Sequence, residues 1–275
     1  MKITKMHGIG NSQILVEDLG EELEARTGLS YNKIAQALCD PNFGIGSDQT
    51  LVITPSVTAD FKMRVFNKDG GEAEMCGNGI RCVAKYLYDR DMISENLSIE
   101  TKAGIKELWI TSENGKTDVE VDMGKGELLE EDKRVNKFVG QLVSVGNPHF
   151  VIFTEDASKD LARREGPGLE TAEEFQPERA NIEFVKTNSS DELETYVWER
   201  GSGLTLACGT GACAVAFAAK KKGLVAREVI VKLLGGELKI SIEDDNHITM
   251  EGPAEYIFEG EVSNVRKIYS NIQKS

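Results

Sequence analysis

Cys76-Gly77-Asn78-Gly79 recurs 132 residues later in this chain (208 − 76) as Cys208-Gly209-Thr210-Gly211. Each stretch precedes an apolar run with helical spacing. Other positions match at the same offset: Val65 with Val197, Gly71 with Gly203, Ile80 with Ala212, and Gly104 with Gly236. The sequence therefore predicts two copies of one structural unit, each with a cysteine at the start of a helix.

Each copy has the same predicted order of elements. An alternating strand, 61–67 in the first copy and 195–199 in the second, leads through a glycine turn to the cysteine. Apolar residues then recur at i, i+3, i+4 and i+7, which predicts a helix with one buried stripe. The stripe residues are Ile80, Val83, Ala84 and Leu87 in the first copy and Ala212, Val215, Ala216 and Ala219 in the second. Further strand-like segments follow at 97–100, 106–110 and 119–122, and again at 229–232, 237–242 and 247–250.

These patterns predict an α+β fold of two pseudo-symmetric domains, each a strand-rich sheet wrapped around a central helix. A chain of 275 residues is long enough for two domains of common size. We place the N-terminal half, which carries Cys76, at residues 1–118, and the C-terminal half, which carries Cys208, at residues 119–275. The polar stretch 124–137 is the expected linker.

The amino-acid composition argues against two classes of binding partner. The net charge of −14 argues against nucleic acid and against anionic membrane surfaces, because no basic surplus exists to meet phosphates. No apolar run approaches the roughly 20 residues that span a bilayer, and residues 1–7 lack the apolar core of a secretory signal. We therefore expect a cytoplasmic protein with reduced thiols. No Cys-x-x-Cys pair and no nucleotide or pyridoxal phosphate signature occurs, so we expect neither a metal nor a cofactor.

The two motif cysteines suggest acid–base chemistry. A helix N-terminus stabilises a thiolate, and the adjoining Gly-x-Gly lets backbone N–H groups approach a ligand carboxylate. If the two halves bring Cys76 and Cys208 to opposite faces of one α-carbon, one sulfur can remove the proton while the other returns a proton. The product is the inverted stereocentre. We interpret the remaining cysteines as buried packing residues: Cys39, Cys82 and Cys213.

Several strings along the chain, in this order, resemble the diaminopimelate epimerase family, and the resemblance runs nearly from end to end. The strings are Lys5-Met6-His7-Gly8-Ile9-Gly10-Asn11, Phe43-Gly44-Ile45-Gly46 with Asp48-Gln49, Phe66-Asn67-Lys68-Asp69-Gly70, Met75-Cys76-Gly77-Asn78-Gly79-Ile80-Arg81-Cys82, Gly146-Asn147-Pro148-His149, Glu199-Arg200-Gly201, Ala207-Cys208-Gly209-Thr210-Gly211-Ala212-Cys213 and Glu251-Gly252-Pro253-Ala254.

The resemblance implies the diaminopimelate epimerase-like fold with an active site between its two domains, and a homodimer. It implies cofactor-independent interconversion of LL-2,6-diaminopimelate and meso-diaminopimelate, in lysine and cell-wall precursor biosynthesis. Cys76 and Cys208 would be the acid–base pair, with His149 as a supporting neighbour of one thiol. The implied substrate contacts are Asn11, Gln49, Asn67, Gly77, Asn78, Asn147, Asn181, Glu199, Arg200, Gly209 and Thr210.

The chain departs from the family pattern at three positions near the expected site. Ser12 and Gln13 stand where the family usually has an acidic residue and then an aromatic one, and Leu204 stands where it usually has glutamate. Two alternative functions stay open from the residues alone. One is a related two-thiol racemase of proline, hydroxyproline or histidine, and the other is a non-catalytic binding protein or thiol redox sensor. Proton exchange on a defined amino acid distinguishes them.

Overall fold

The computed structural model describes residues 1–113 and 115–274. The strands are β1 (Lys2–Gly8), β2 (Asn11–Glu17), β3 (Gln49–Thr54), β4 (Phe61–Asn67), β5 (Glu72–Ala73), β6 (Asn96–Thr101), β7 (Gly104–Glu113), β8 (Lys116–Lys125), β9 (Glu127–Val135), β10 (Phe138–Ser144), β11 (Pro148–Phe153), β12 (Asn181–Ser189), β13 (Glu192–Glu199), β14 (Gly203–Leu204), β15 (Glu228–Leu233), β16 (Gly236–Ile242), β17 (His247–Pro253) and β18 (Glu255–Glu261). The helices are α1 (Leu23–Thr27), α2 (Tyr31–Cys39), α3 (Gly77–Tyr88), α4 (Lys159–Glu170), α5 (Gly209–Lys221) and α6 (Val265–Ile272), with a short 3₁₀ helix at Glu173–Phe175. Within the described ranges, no helix combines the length and the apolarity that crossing a membrane requires.

The chain forms two compact units. The first comprises residues 1–119 and 253–275, and the second comprises residues 120–252. The segment 253–275, which the sequence pattern assigns to the second half, therefore belongs to the first unit. The reason is that β18 pairs antiparallel with β1, while Val265 of α6 is buried in the same apolar cluster as α2.

The first unit is built on a mixed sheet with the strand order β18-β1-β2-β3-β4-β6-β7. The β2–β3 and β4–β6 pairs are parallel. Leu51 of β3 lies beside Gly79 of α3, whereas its neighbour Val52 packs in the α2 cluster. Because successive side chains of a strand point to opposite faces, α3 and α2 cover opposite faces of this sheet.

The second unit repeats this plan. Its strand order is β9-β10-β11-β12-β13-β15-β16-β17, with parallel pairs β11–β12 and β13–β15 in the equivalent places. Helix α5 lies against the strands from β10 to β16, and α4 packs against β12 and β13. The stripe residues of α3 and α5 are fully buried, as predicted: Ile80, Val83, Ala84, Leu87, Ala212, Val215, Ala216 and Ala219. The predicted α+β fold of two similar sheet-and-helix units is confirmed.

The prediction of a linker at 124–137 is wrong. Most of this stretch is β9, which pairs antiparallel with β10. The side chains of β9 are nearly all exposed or partly exposed, so backbone hydrogen bonds rather than apolar burial hold this strand. Because such a strand lacks alternating apolar residues, its polar sequence cannot be distinguished from that of a linker.

Candidate active site

Both motif cysteines occupy the N-cap position of a helix, with closely matched backbones. Cys76 has φ −137° and ψ 112°, and Cys208 has φ −134° and ψ 107°. Each sulfur accepts a hydrogen bond from the backbone N–H three residues later, at 3.3 Å from Gly79 and from Gly211. An N-cap side chain normally offers oxygen to this N–H. Here sulfur takes that place, at the positive end of the helix dipole.

The glycines at the third helical position make this close approach possible. A Cβ on Gly79 would lie 3.0 Å from the nearer Leu51 methyl carbon. A Cβ on Gly211 would lie 3.1 Å from the Cys208 sulfur and also 3.1 Å from Glu183 Oε1. Any larger residue would therefore displace the groups around the sulfur, which explains why glycine recurs at this place in both motifs.

In the first unit, a set of polar side chains surrounds Cys76. We call Cys76, Asn11, Gln13, Asp48 and Asn78 the Cys76 cluster. The Cys76 thiol donates to Asn11 Oδ1 at 3.7 Å, and Asn78 Nδ2 donates to the same oxygen at 3.5 Å. Asn11 Nδ2 donates to the Asp48 carboxylate at 3.2 Å. Asp48 thus fixes the Asn11 amide with its oxygen towards the sulfur, so the first unit brings together the predicted residues Asn11, Cys76 and Asn78.

The predicted residues Gln49 and Asn67 lie in one row with Gln13. Gln13 pairs with Gln49 across β2 and β3, and Gln49 pairs with Asn67 across β3 and β4. Gln49 Nε2 donates to Asn67 Oδ1 at 2.9 Å. Directly paired residues project on the same face of a sheet, so three amides form a continuous polar row. Such a row offers both donors and acceptors to a ligand.

Arg81 organises the first turn of α3. Its guanidinium is fully buried and donates to the Gly77 carbonyl at 3.0 Å and to Asn78 Oδ1 at 2.9 Å. The second contact holds Asn78 with its NH₂ group towards Asn11. Arg81 therefore places a buried positive charge beside the helix start and orients a predicted site residue.

In the second unit, carboxylates surround the thiol. We call Cys208, Glu183, Glu199, His149 and Asn147 the Cys208 cluster. Cys208 is only 6% exposed. Burial raises the pKa of the Cys208 thiol well above its usual range, and the negative charges of Glu199 and Glu183 raise it further. These surroundings favour the thiol of Cys208 over its thiolate.

His149 and Glu183 form a fully buried pair in this cluster. His149 Nδ1 lies 2.6 Å from Glu183 Oε1, and His149 Nε2 lies 3.0 Å from Asn147 Oδ1. Burial raises the pKa of Glu183, and the neighbouring His149 opposes that shift. The predicted supporting residue His149 is thus linked to the surroundings of Cys208 through Glu183.

Glu199 and its neighbours complete the second unit's site. Burial raises the pKa of Glu199, although a hydrogen bond from the Thr205 hydroxyl opposes the rise. Asn181 is engaged at both ends of its amide: its oxygen accepts from the Arg200 N–H at 2.9 Å, and its nitrogen donates to the Pro148 carbonyl at 3.3 Å. The exposed Arg200 side chain donates to the Glu178 carbonyl at 2.6 Å.

Sequence reasoning did not select five residues that these contacts bring to the clusters or beside them: Gln13, Asp48, Arg81, Glu183 and Thr205. Two of them carried a signal. Glu183 interrupts an apolar strand run, and Gln13 directly precedes the fully or nearly fully buried Ile14-Leu15-Val16. A charged or amide side chain inside such a run indicates a specific polar partner. In the ranges that the structure describes, no group of three His, Cys, Asp or Glu side chains is arranged to hold a metal ion.

Comparison with known proteins gives one consistent family. The family model described as diaminopimelate epimerase matches residues 3–129 and 141–257. A curated diaminopimelate epimerase of Methanococcus maripaludis is 46% identical, covering 95% of this chain and 99% of its own. One from Acetivibrio thermocellus is also 46% identical, covering 95% and 98%.

Solved structures share the fold at much lower identity. A phenazine biosynthesis protein of the PhzF family from Bacillus anthracis superposes with a TM-score of 0.73 at 20% identity, covering 95% of this chain and 98% of that one. A hydroxyproline epimerase from Agrobacterium vitis gives a TM-score of 0.72 at 14% identity, covering 94% and 91%. These likenesses show the fold alone. The sequence matches show more: the chain belongs to the diaminopimelate epimerase family and is an isomerase.

Proposed function

We propose that this protein interconverts LL-2,6-diaminopimelate and meso-diaminopimelate without a cofactor, as a homodimer, in the biosynthesis of lysine and cell-wall precursors. The substrate is supported by relatives of that name at 46% identity over 95% of the chain. The observation that carries the chemistry is the pair of matched N-cap sulfurs, one in each unit. Two acid–base groups on opposite faces of a carbon can invert a C–H stereocentre, because one removes the proton while the other returns a proton.

The proposed reaction moves two protons and no other group. Starting from one isomer, the thiolate of Cys76 removes the α-proton and becomes a thiol. The electron pair of the broken C–H bond moves into the carboxylate to give an enediolate. The thiol of Cys208 then delivers its proton to the opposite face of the same carbon and becomes a thiolate. The reverse reaction exchanges the two roles.

The protonation of Cys208 supports this assignment of roles in the ligand-free protein. Its raised pKa, caused by burial and by the carboxylates of Glu199 and Glu183, favours the proton-donor form. Cys76 instead has the side-chain amides of Asn11 and Gln13 as neighbours. One thiol and one thiolate are therefore the resting state that we propose.

Stabilising the enediolate is the hardest part of the reaction, because an α-proton of an amino acid is very weakly acidic. We assign the reacting carboxylate to the backbone N–H groups at the two helix starts, which are preorganised donors for developing negative charge. These groups belong to Gly77, Asn78, Gly209 and Thr210. Glycine at two of these positions leaves the N–H groups unobstructed.

The second amino acid end of diaminopimelate needs a distal pocket with donors and acceptors. An arginine can bind a carboxylate through two parallel hydrogen bonds, and a carboxylate side chain can accept from an ammonium. We assign these two roles to Arg200 and Glu199, with His149 supporting the Cys208 cluster. The remaining proposed contacts are the amides Asn11, Gln49, Asn67, Asn147 and Asn181.

Incubation of the protein with LL-diaminopimelate in D₂O tests the proposal. We expect proton NMR to show loss of the α-proton signal through deuterium incorporation, and chiral chromatography to show the meso isomer. Proline, hydroxyproline and histidine, incubated in parallel, should keep their α-protons. Exchange on one of these three amino acids, with none on diaminopimelate, would replace the proposed substrate with that of a related racemase.

A further inference from the structure

We propose that Gln13 is a positioning residue for Cys76: its side-chain amide donates one N–H to the Cys76 sulfur, which favours the thiolate, and the other to Asn11, which holds the acceptor of the thiol proton in place. This inference deepens the proposed function, since it concerns the thiol that we assign as the resting base. Gln13 acts through the sulfur and through Asn11, so it need not touch the substrate.

The hydrogen-bond geometry accounts for both hydrogens of the Gln13 amide. Gln13 Nε2 lies 3.8 Å from Cys76 Sγ and 2.5 Å from Asn11 Oδ1. A side-chain NH₂ group has two donor hydrogens. One serves the sulfur and the other serves the oxygen that receives the thiol proton of Cys76. Both partners of Gln13 therefore belong to the Cys76 cluster.

Burial argues that the amide is present for these two contacts rather than for stability. Gln13 is fully buried, and its Oε1 has no hydrogen-bond partner among the described residues. Burying an unsatisfied amide oxygen costs stability that an apolar side chain would not cost. The next three residues, Ile14 to Val16, are apolar and buried. An apolar residue at position 13 would fit this strand better, so the amide needs another explanation.

The contacts serve the two protonation states of Cys76 differently. As a thiolate, the sulfur accepts from Gln13 Nε2 and from the Gly79 N–H. As a thiol, it donates to Asn11 Oδ1, which Asp48 holds in place through the Asn11 NH₂ group. Donors to the charged form lower the free energy of that form. Removing the Gln13 amide therefore shifts the balance towards the thiol.

The two thiols consequently have different surroundings. Amide groups contact the Cys76 sulfur, and the Asp48 carboxylate of this cluster is bound to Asn11, whereas the carboxylates of Glu199 and Glu183 raise the pKa of Cys208. Donors favour a negative sulfur, and neighbouring negative charges disfavour it. This difference gives each sulfur a defined starting state, which a reaction with one base and one acid needs.

The test measures the ionisation of Cys76 directly, without substrate. The tryptic peptide 69–81, which follows Lys68 and ends at Arg81, contains Cys76 as its single cysteine. The rate at which iodoacetamide alkylates this peptide in the intact protein, followed by mass spectrometry across pH, gives the midpoint of thiolate formation. For Gln13→Met, which keeps the side-chain length but removes the donor, we expect the midpoint to rise by about half to one pH unit.

A matched control separates this effect from the loss of any buried amide. Gln141 in β10 is also fully buried, and within the described chain neither its nitrogen nor its oxygen has a hydrogen-bond partner. Gln141→Met makes the same chemical change in the second unit, at a residue that has no hydrogen bond to the Cys76 cluster among the described residues. We expect it to leave the alkylation midpoint of Cys76 unchanged, whereas an equal rise in both Met variants would contradict a specific role for Gln13.

A second variant keeps the test decisive if Gln13→Met does not fold. Gln13→Glu preserves the shape of the side chain, but an ionised carboxylate cannot donate to sulfur and repels a thiolate. We expect a larger rise of the Cys76 midpoint than with Met. A midpoint unchanged in the folded Gln13 variants overturns the proposal. Because no amino acid is present, this result is independent of whether diaminopimelate proves to be the substrate.

Discussion

Cys76 and Cys208 share a backbone conformation but have different neighbours. The N-cap geometry is set by the local sequence, because each cysteine is followed by glycine at the third helical position. The neighbours come from distant strands: Asn11 and Gln13 from β2, Glu183 from β12 and Glu199 from β13. The chemistry of each sulfur therefore depends on the strands that face it as much as on its own motif.

The raised pKa of Cys208 gives a prediction about Glu199. Replacing Glu199 with Gln removes a negative charge near the sulfur, which lowers the free energy of the thiolate. The pH at which Cys208 ionises should therefore fall. The ultraviolet absorbance of the thiolate, titrated against the Cys208→Ser protein as baseline, measures it.

A control from the same strand makes this titration specific. Glu194 of β13 accepts a hydrogen bond from the Tyr196 hydroxyl and is not among the groups that shift the pKa of Cys208 most. Glu194→Gln should leave the Cys208 titration unchanged. A Glu199→Gln protein in which Cys208 ionises at the same or higher pH would show that burial alone sets its protonation.

The sequence was sufficient to predict that each motif cysteine lies at the start of a helix, because the duplicated motif is local. It could not predict Gln13 or Glu183 as neighbours of the thiols. Their position depends on which strands pair and on which face each side chain projects. The sequence shows that Gln13 differs from the usual family residue at this position. It does not show that the Gln13 side chain contacts Cys76, which lies 63 positions later in the chain.

Helix α4 packs against β13, the strand that ends at Glu199. Gly166 of this helix faces Trp198, the residue before Glu199. A Cβ on Gly166 would lie 2.5 Å from Trp198 Cγ. A Cβ on Gly168 of the same helix would instead enter open space, with no neighbouring atom within 4 Å. These two glycines therefore have different roles, one in close packing and one on the solvent side.

We predict opposite effects of alanine at these two positions. Gly166→Ala should lower the free energy of unfolding by about 1–3 kcal/mol, because the new methyl group overpacks against the indole. Gly168→Ala should raise it by up to about 1 kcal/mol, because alanine favours helix over the unfolded chain. Urea unfolding of both variants measures the difference. Equal effects at the two positions would contradict this packing account.

The elements that sequence patterns predicted are those with a buried face. Strand β4 and helix α3 alternate or repeat their apolar residues, so their periodicity is visible. Strand β9 has mostly exposed side chains and is held by backbone hydrogen bonds to β10. Backbone pairing of that kind does not produce a hydropathy pattern, so residues 124–137 were predicted to be a linker.

The duplication extends to the organisation of the two units, with one exception. Both have a central helix and two parallel strand pairs in equivalent places, as the offset of 132 residues predicts. The exception is the C-terminal segment 253–275, which completes the first unit through β18 and α6. An internal repeat indicates which segments are copies, but not which unit a segment outside the repeat joins.

The central claim is that each unit contributes one thiol to a single reaction. Cys76→Ser and Cys208→Ser should each lower the rate of LL-to-meso and meso-to-LL conversion by about 10²–10⁴-fold, because each face of the α-carbon needs its own proton carrier. Cys39→Ser is the control: its buried sulfur contacts the Thr50 hydroxyl at 3.3 Å, a partner that serine can keep, and we expect near-normal rates.

Chiral chromatography of both reaction directions, for the three serine variants beside the unmodified protein, tests that claim most directly. The two-thiol account predicts that both motif variants lose conversion in both directions while Cys39→Ser retains it. Near-normal conversion in both directions by either Cys76→Ser or Cys208→Ser would contradict the account.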